Sequence, residues 1–271
     1  LPELPEVETT RRGLLRHVRG RRIQSVLVHE QRLRWPVTPE LPTLLSGQLV
    51  RAIERRAKYL LLRMPNGTLI VHLGMSGNLR VVRGAQALLP HDHIELQLDS
   101  GAALRFNDPR RFGCFLYTTE APRHHKLLKD LAPEPLTRRF DGEYLHRVTR
   151  GRRVAIKSLL LNGRLVTGVG NIYASEALFR ARLRPQRQAR SLTRAHCTRL
   201  VSAIRAVLKS AIRAGGTTLR DYVSAEGAPG YFKQKLYVYE RAKLPCRRCR
   251  TPVRQLTQGQ RSTYYCPQCQ R

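Results

Sequence analysis

The sequence is poor in negative charge: 19 Asp and Glu stand against 50 Lys and Arg in 271 residues, a formal net charge of +31. An excess of that size calls for a polyanionic partner. Lysine is scarce too, with eight (positions 58, 126, 129, 157, 209, 233, 235 and 243), which leaves 42 Arg. Arg grips phosphate with a planar fork and keeps its charge, which suits nucleic acid; a GC-rich coding sequence would enrich Arg as well. No apolar run reaches the ~18 residues of a membrane span. The first 20 residues mix Glu3, Glu6, Glu8, Arg11, Arg12 and Arg16 with apolar positions, which fits no secretory signal. The expected setting is therefore cytoplasmic, with no membrane. Internal repeats and low-complexity tracts are missing, and 41% hydrophobic residues is enough for packed cores.

Three kinds of pattern are present. Val7, Leu14, Leu15 and Val18 recur at helical spacing after Pro5, which predicts a helix over residues 5–18. Tyr59 to Met64 and Leu69 to Leu73 flank Pro65-Asn66-Gly67, and an alternating run over residues 94–98 meets another at Leu104 and Phe106 across Asp99-Ser100-Gly101. Both read as hairpins, so the first ~120 residues form a mainly β domain carrying a helix. Prolines interrupt the pattern around Leu131-Ala132-Pro133-Glu134-Pro135. Beyond them Leu200, Val201, Ile204, Val207, Leu208, Ala211 and Ile212 make a helical stripe stopped by Gly215-Gly216. Residues 217–235 are polar and Gly-rich and read as a long loop.

Cys246-x2-Cys249 and Cys266-x2-Cys269 lie 16 residues apart, the spacing of a four-thiolate zinc site on two knuckles. Disulfides are the competing reading, and without a secretory signal the thiols stay reduced. Four Cys leave no open ligand position, so one structural Zn2+ is expected. Cys114 and Cys197 fall outside the spacing and read as small core residues. Arg247, Arg248, Arg250, Arg254 and Arg261 coat the module, which points to phosphate contact; a protein-binding zinc module is the alternative.

Pro2-Glu3-Leu4-Pro5-Glu6-Val7-Glu8 is partly a helix start, with Pro5 in the first turn and acids at the positive end. Pro2 and Glu3 precede that helix and need another account. Together with Arg56-Ala57-Lys58-Tyr59, His72-Leu73-Gly74-Met75-Ser76-Gly77, His91-Asp92-His93, Asp108-Pro109-Arg110-Arg111-Phe112-Gly113, Gly168-Val169-Gly170-Asn171-Ile172-Tyr173 and the four cysteines, this motif resembles the formamidopyrimidine-DNA glycosylases, bacterial enzymes that excise oxidised purines such as 8-oxoguanine. The resemblance runs the whole length. Its sister group, the endonuclease VIII enzymes, prefers oxidised pyrimidines and typically carries Gly where this chain has Leu4.

The resemblance implies an α+β fold: an N-terminal catalytic β-sandwich with flanking helices over 1–132, a linker over 133–150, a helix-two-turn-helix domain with a base-covering loop over 151–235, and a zinc-finger hairpin over 236–271. It implies a glycosylase and AP lyase acting on double-stranded DNA as a monomer. In that chemistry Pro2 is the secondary-amine nucleophile, Glu3 the acid at the sugar, and Glu6 a supporting carboxylate. Lys58 and Arg261 assist elimination at the flanking phosphates. Met75 and Phe112 fill the space left by the flipped nucleotide and Arg110 bonds the orphaned cytosine. His91, Arg152, Asn171 and Lys157 hold the DNA backbone. Taken singly, Met75 and Phe112 would read as core, and Asn171 as a helix N-cap.

Three departures stand out. Leu1 precedes Pro2 and would leave its nitrogen an amide; it is read as a literal translation of a non-AUG start codon, removed in the mature chain. Were it retained, a non-catalytic binder of damaged DNA would be the alternative. Leu160-Leu161-Asn162-Gly163 replaces an acidic residue followed by Gln or Asn, and Arg250 stands where the knuckle commonly has Gly, at an expected cost in backbone strain.

Overall fold

A computed structural model describes residues 2–84, 86–217 and 235–271. The chain divides into two compact units, one of residues 1–129 and 212–233, the other of residues 130–211 and 234–271.

The first unit opens with α1 (Leu4–Val18), with Glu3 as N-cap and a proline in the first turn, where a missing N–H goes unneeded. Leu4, Val7, Leu14 and Val18 are buried. β1 (Ile23–Val28) and α2 (Leu41–Leu45) follow, then β2 (Ala52–Arg56), β3 (Tyr59–Met64), β4 (Gly67–His72), β5 (Asn78–Arg83), β6 (Asp92–Leu98), β7 (Ala102–Asn107) and β8 (Cys114–Thr118). They form two antiparallel four-stranded sheets, ordered β1-β6-β7-β5 and β2-β3-β4-β8. Both sheets and both helices close on one core, represented by Leu14, Leu45, Leu62, Val71, Leu96 and Phe106. The two expected hairpins are β3–β4 and β6–β7. Glu8 on α1 accepts from Arg11 and Arg12 at 2.9 Å and from Arg55 of β2 at 3.2 Å, which fixes the helix against the sheet. Burial pushes its carboxyl up, but the bonds from Arg11 and Arg12 prevail and hold it down at about 2.

In the second unit Asp141 caps α3 (Gly142–Thr149), its Oδ1 accepting the Tyr144 N–H at 2.7 Å. α4 (Ile156–Leu160), α5 (Asn171–Arg180) and α6 (Arg194–Arg213) complete the helices, and β9 (Arg254–Gln258) pairs with β10 (Arg261–Tyr265) as the C-terminal hairpin. α6 runs six residues earlier than the apolar stripe indicated and gives way to Gly215 and Gly216, both with left-handed φ. The expected linker over 133–150 is corrected. That stretch contains α3 and the fully buried Phe140, and the Arg205 guanidinium donates to the carbonyls of Pro135, Thr137 and Phe140. Chain bound this way is part of the second unit's packing. Cys114 and Cys197 are buried, as core residues should be. No helix among the described residues is long and apolar enough to cross a membrane. The base-covering loop that the resemblance implies over 217–231 lies outside the described residues, apart from Thr217.

Candidate nucleic-acid site

In the first unit α1 delivers Pro2 and Glu3. Both are buried, Glu3 to 1% exposure. The Glu3 N–H donates to Glu6 Oε2 at 2.8 Å, and the other oxygen of the same carboxylate accepts the Thr217 N–H at 2.8 Å. Gly216, at φ +85°, lies so close that a Cβ there would be 3.1 Å from Glu6 Oε1. Glu6 thus holds the residue after Pro2 and the chain leaving α6 in one place.

Lys58 occupies the tight β2–β3 turn, where Ala57 takes a left-handed φ of 54° and its carbonyl accepts from Arg55 at 2.9 Å. Beside it is His72, at the end of β4, its ring 4.8 Å from that of Tyr59 and its Nδ1 accepting the Gly74 N–H at 3.0 Å. Burial, then the charges of Lys58 and Arg34, press the imidazole down to about 4, so it is neutral at pH 7. The unfolded chain therefore takes up this proton at higher pH than the native one, and stability is lost as pH falls from about 6.5 to 4. Glu8 acts with the same sign between about 4.5 and 2. Denaturant titrations are expected to show unfolding free energy falling by on the order of 3 kcal/mol across the upper window, with His72→Asn flattening it.

Met75, Arg110, Phe112 and His91 come together through a residue that the sequence reading did not single out. Asp108 is fully buried. Its Oδ1 accepts from Ser76 Oγ at 3.3 Å, its Oδ2 from the Gly113 N–H at 2.8 Å, and its carbonyl pairs with His93 Nε2 at 2.9 Å. Its own N–H donates to the His91 carbonyl at 3.1 Å. One aspartate therefore ties the 74–77 turn, the 91–93 strand start and the 108–113 loop. Backbones also meet directly: a Cβ on Gly74 would sit 2.6 Å from the Gly113 nitrogen. On this platform Met75 is half-buried, Phe112 is 42% exposed, and the Arg110 guanidinium stacks 4.9 Å over the Phe112 ring. The core reading of Phe112 does not hold. The signal was Asp108-Pro109 followed by two Arg and an aromatic, an acid with no solvent role beside a loop.

In the second unit α5 starts with Gly170 as N-cap, so Asn171 is the first helical residue and its side chain serves elsewhere. Its Oδ1 accepts from Lys157 Nζ at 2.6 Å, and its Nδ2 donates to the Ser262 carbonyl at 3.0 Å. Lys157 also donates to Thr263 Oγ1 at 2.7 Å and the Ser262 carbonyl at 3.2 Å. The reading of Lys157 as a contact to the DNA backbone is corrected. It is 1% exposed and its ammonium is enclosed by protein acceptors, so it positions Asn171 and the strand beginning at Arg261. Arg261 itself is exposed, as is Arg152, which follows α3 and donates from Nε to the Val148 carbonyl. Glu176 on α5, also missed, accepts the N–H groups of Tyr237, Val238 and Tyr239 at 2.9 to 3.1 Å. Burial pushes its carboxyl up, against those three bonds. The Tyr239 hydroxyl in turn lies 3.4 Å from Asn171 Nδ2.

The four cysteine sulfurs all lie within 4.8 Å of one another, with Cys246–Cys269 at 4.0 Å and Cys249–Cys266 at 3.4 Å. Zn–S bonds of about 2.3 Å put the sulfurs of a tetrahedral site ~3.8 Å apart, and a disulfide needs ~2.05 Å. The donor set fits one zinc ion. Arg250 does carry the left-handed φ, 67°, expected of a knuckle glycine. Cys246 and Cys266 pack with Phe179, Val238 and Val253 into a small core of their own.

Residues 1–115 match the family described as formamidopyrimidine-DNA glycosylase N-terminal domain, 131–223 that described as formamidopyrimidine-DNA glycosylase H2TH domain, and 243–271 the zinc finger found in FPG and IleRS. The chain is 60% identical to the formamidopyrimidine-DNA glycosylase of Thioalkalivibrio sulfidiphilus and 54% identical to that of Alkalilimnicola ehrlichii, covering 100% of both chains in each case. Among solved structures, the MutM (FPG) protein of Thermus thermophilus superposes with a TM-score of 0.89 at 41% identity, covering 99% of this chain and 98% of that one. A Lactococcus lactis FPG mutant in complex with Fapy-dG containing DNA gives 0.92 at 31% identity, covering 100% of both. Sequence identity over the full length, three domain families in their order and the shared fold agree: this chain belongs to the formamidopyrimidine-DNA glycosylase family.

Proposed function

We propose that Pro2, Glu3, Lys58 and Arg261 carry the reaction of this chain, a base-excision-repair DNA glycosylase and AP lyase that removes oxidised purines from duplex DNA. The observation that carries this reading is the Pro2-Glu3 pair buried at the head of α1 in a chain that matches its relatives from end to end. Pro2, once its nitrogen is a free secondary amine, attacks the deoxyribose C1′; the glycosidic bond breaks and the damaged base leaves with its electron pair and takes up the proton that the amine gives up. Glu3 gives a proton to the sugar ring oxygen as the ring opens. The resulting iminium acidifies the neighbouring C2′ proton, and β- then δ-elimination break the phosphodiesters on either side, with Lys58 and Arg261 at the departing phosphates. Met75 and Phe112 fill the vacated stack and Arg110 bonds the unpaired cytosine. His91, Arg152 and Asn171 hold the backbone. Zinc, held by Cys246, Cys249, Cys266 and Cys269, stabilises the hairpin that bears Arg261. The working compartment is the one that holds the chromosome, the bacterial cytoplasm.

Incubation with an 8-oxoguanine:C duplex and borohydride tests the reading. A covalent adduct and a β,δ-cleaved strand are expected; an adduct with thymine glycol alone would move the chain to the pyrimidine-preferring sister group.

Two further results are expected. Asp108→Ala strands the Ser76 hydroxyl and the Gly113 N–H, costing about 2–3 kcal/mol in denaturant titration. Because an abasic nucleotide leaves the stack more easily than an intact one, base excision should fall about tenfold more than cleavage of a preformed abasic site. Lys157→Met should cost on the order of 3 kcal/mol, since it leaves buried acceptors around a missing charge. It should also weaken duplex binding about tenfold by releasing Asn171, measured by anisotropy beside thermal melts.

A further inference from the structure

We propose a second binding site for phosphodiester backbone, at the opposite end of α5 from Asn171. α5 has ten residues, so its ends lie ~15 Å apart. Just past its C-terminal end two adjoining concavities open. One, of about 360 Å3, is lined by Arg182, Arg248, Gln268, Cys269 and Arg271; the other, of about 400 Å3, by Arg184, Gln186, Arg187 and Arg271. Five arginines from three separate chain segments thus meet around one shared residue. Among the described residues, no ion pair joins any of the five to a carboxylate.

Abundant arginine alone would scatter over the surface, whereas this group is built. The buried Gln270 donates from Nε2 to the Leu183 carbonyl at 2.8 Å and accepts the Cys266 N–H at 2.9 Å, joining the second zinc knuckle to the 182–184 turn. The Arg271 N–H donates to the Arg182 carbonyl at 3.3 Å, and Arg184 Nε to the Gln270 carbonyl at 3.1 Å. Arg182 itself is held at φ 56°, a left-handed conformation unfavourable for a non-glycine residue. Surrounding bonds maintain it and present its side chain beside Arg248. The helix dipole favours a cation or two at this end, which accounts for Arg180 and Arg182 but not for Arg248 or Arg271.

The lining chemistry selects the partner. Arg and Gln side chains offer a fork of N–H donors, and no aliphatic or aromatic residue lines either concavity. Protein-binding hot spots centre on large side chains packed in desolvated pockets, while phosphate needs only donors and charge. The ligand is a second stretch of duplex, bound without regard to sequence while α5's other end serves the first.

The zinc-loaded full chain, trapped by borohydride on a short lesion duplex, is titrated with a labelled undamaged duplex. Binding is expected, with an affinity that falls steeply with salt. Arg182→Gln with Arg248→Gln, at positions whose side chains bear no described structural bond, should weaken it at least tenfold while leaving trapping unchanged. For the untrapped protein on long undamaged DNA, the slope of log K against log salt should drop by about 0.9 for each phosphate released. No second binding, or binding and slope unaffected by the double variant, would overturn the site. Displacement of the second duplex by polyglutamate as readily as by polyphosphate would overturn the phosphate assignment. Failure to trap at all speaks against the nucleophile and leaves the slope measurement to decide this site.

Discussion

Protein that keeps Leu1 ahead of Pro2 is expected to form no borohydride-stable adduct with an 8-oxoguanine:C duplex, while the same chain beginning at Pro2 forms one. An amide nitrogen has its lone pair delocalised into the carbonyl and cannot attack C1′. A free α-amine has a reference pKa of about 8, so a usable fraction is neutral at pH 7, and a secondary amine yields a cationic iminium without losing a second proton. The loss should be on the order of 10³-fold or more in strand cleavage. Pro2→Gly keeps a primary amine and should retain weak trapping. Glu3→Gln should abolish base release by removing the proton donor, a step worth ~10² to 10⁴, yet still trap on a preformed abasic site. Intact mass of the natively expressed protein, read beside trapping yield, checks the series; an adduct from a chain with Leu1 attached would remove Pro2 from the mechanism.

Stripping zinc, by chelation or by Cys246→Ser, is expected to unfold the hairpin while leaving the first unit folded. Two five-residue strands cannot hold themselves together in water, and the module's own core is a handful of side chains. Metal binding in such modules supplies ~10 kcal/mol of folding energy. The Ser262 carbonyl and Thr263 hydroxyl would then no longer hold Lys157 and Asn171, and Arg261 would lose its place. Duplex affinity should fall by on the order of 10²-fold. Metal content, protease protection of residues 243–271 and anisotropy follow the three changes together, and zinc should restore all three.

Much of this was legible in the sequence because the signals were chemical. Four cysteines at knuckle spacing, two prolines among carboxylates, and turns rich in Gly and Asn each have few structural solutions. Among the strands that escaped, β2 and β5 are masked by arginine: Ala52–Arg56 and Asn78–Arg83 place charge within half-buried strands, so their alternation is faint, whereas β8 (Cys114–Thr118) is a short run without alternation. Residues 133–150 read as a linker because prolines suppress periodicity, whereas what holds them is Arg205, roughly seventy residues away. Lys157 reads as a contact to the DNA backbone because it matches a lysine of the family that the sequence resembles. Its burial depends on Asn171 and Thr263, partners from two remote segments that periodicity cannot bring together. Asp108 and Glu176 were hidden for the same reason: a carboxylate that accepts backbone N–H groups leaves no trace in spacing.

Gly74 lies against the backbone of Phe112 and Gly113 with no room for a Cβ. For anyone transplanting Met75, Arg110 and Phe112 into another scaffold, the 74–77 turn and the 108–113 loop therefore form one indivisible graft. Exchanging either alone brings a foreign backbone path into a gap sized for its native neighbour. Moved together with Asp108, they carry their own spacing with them.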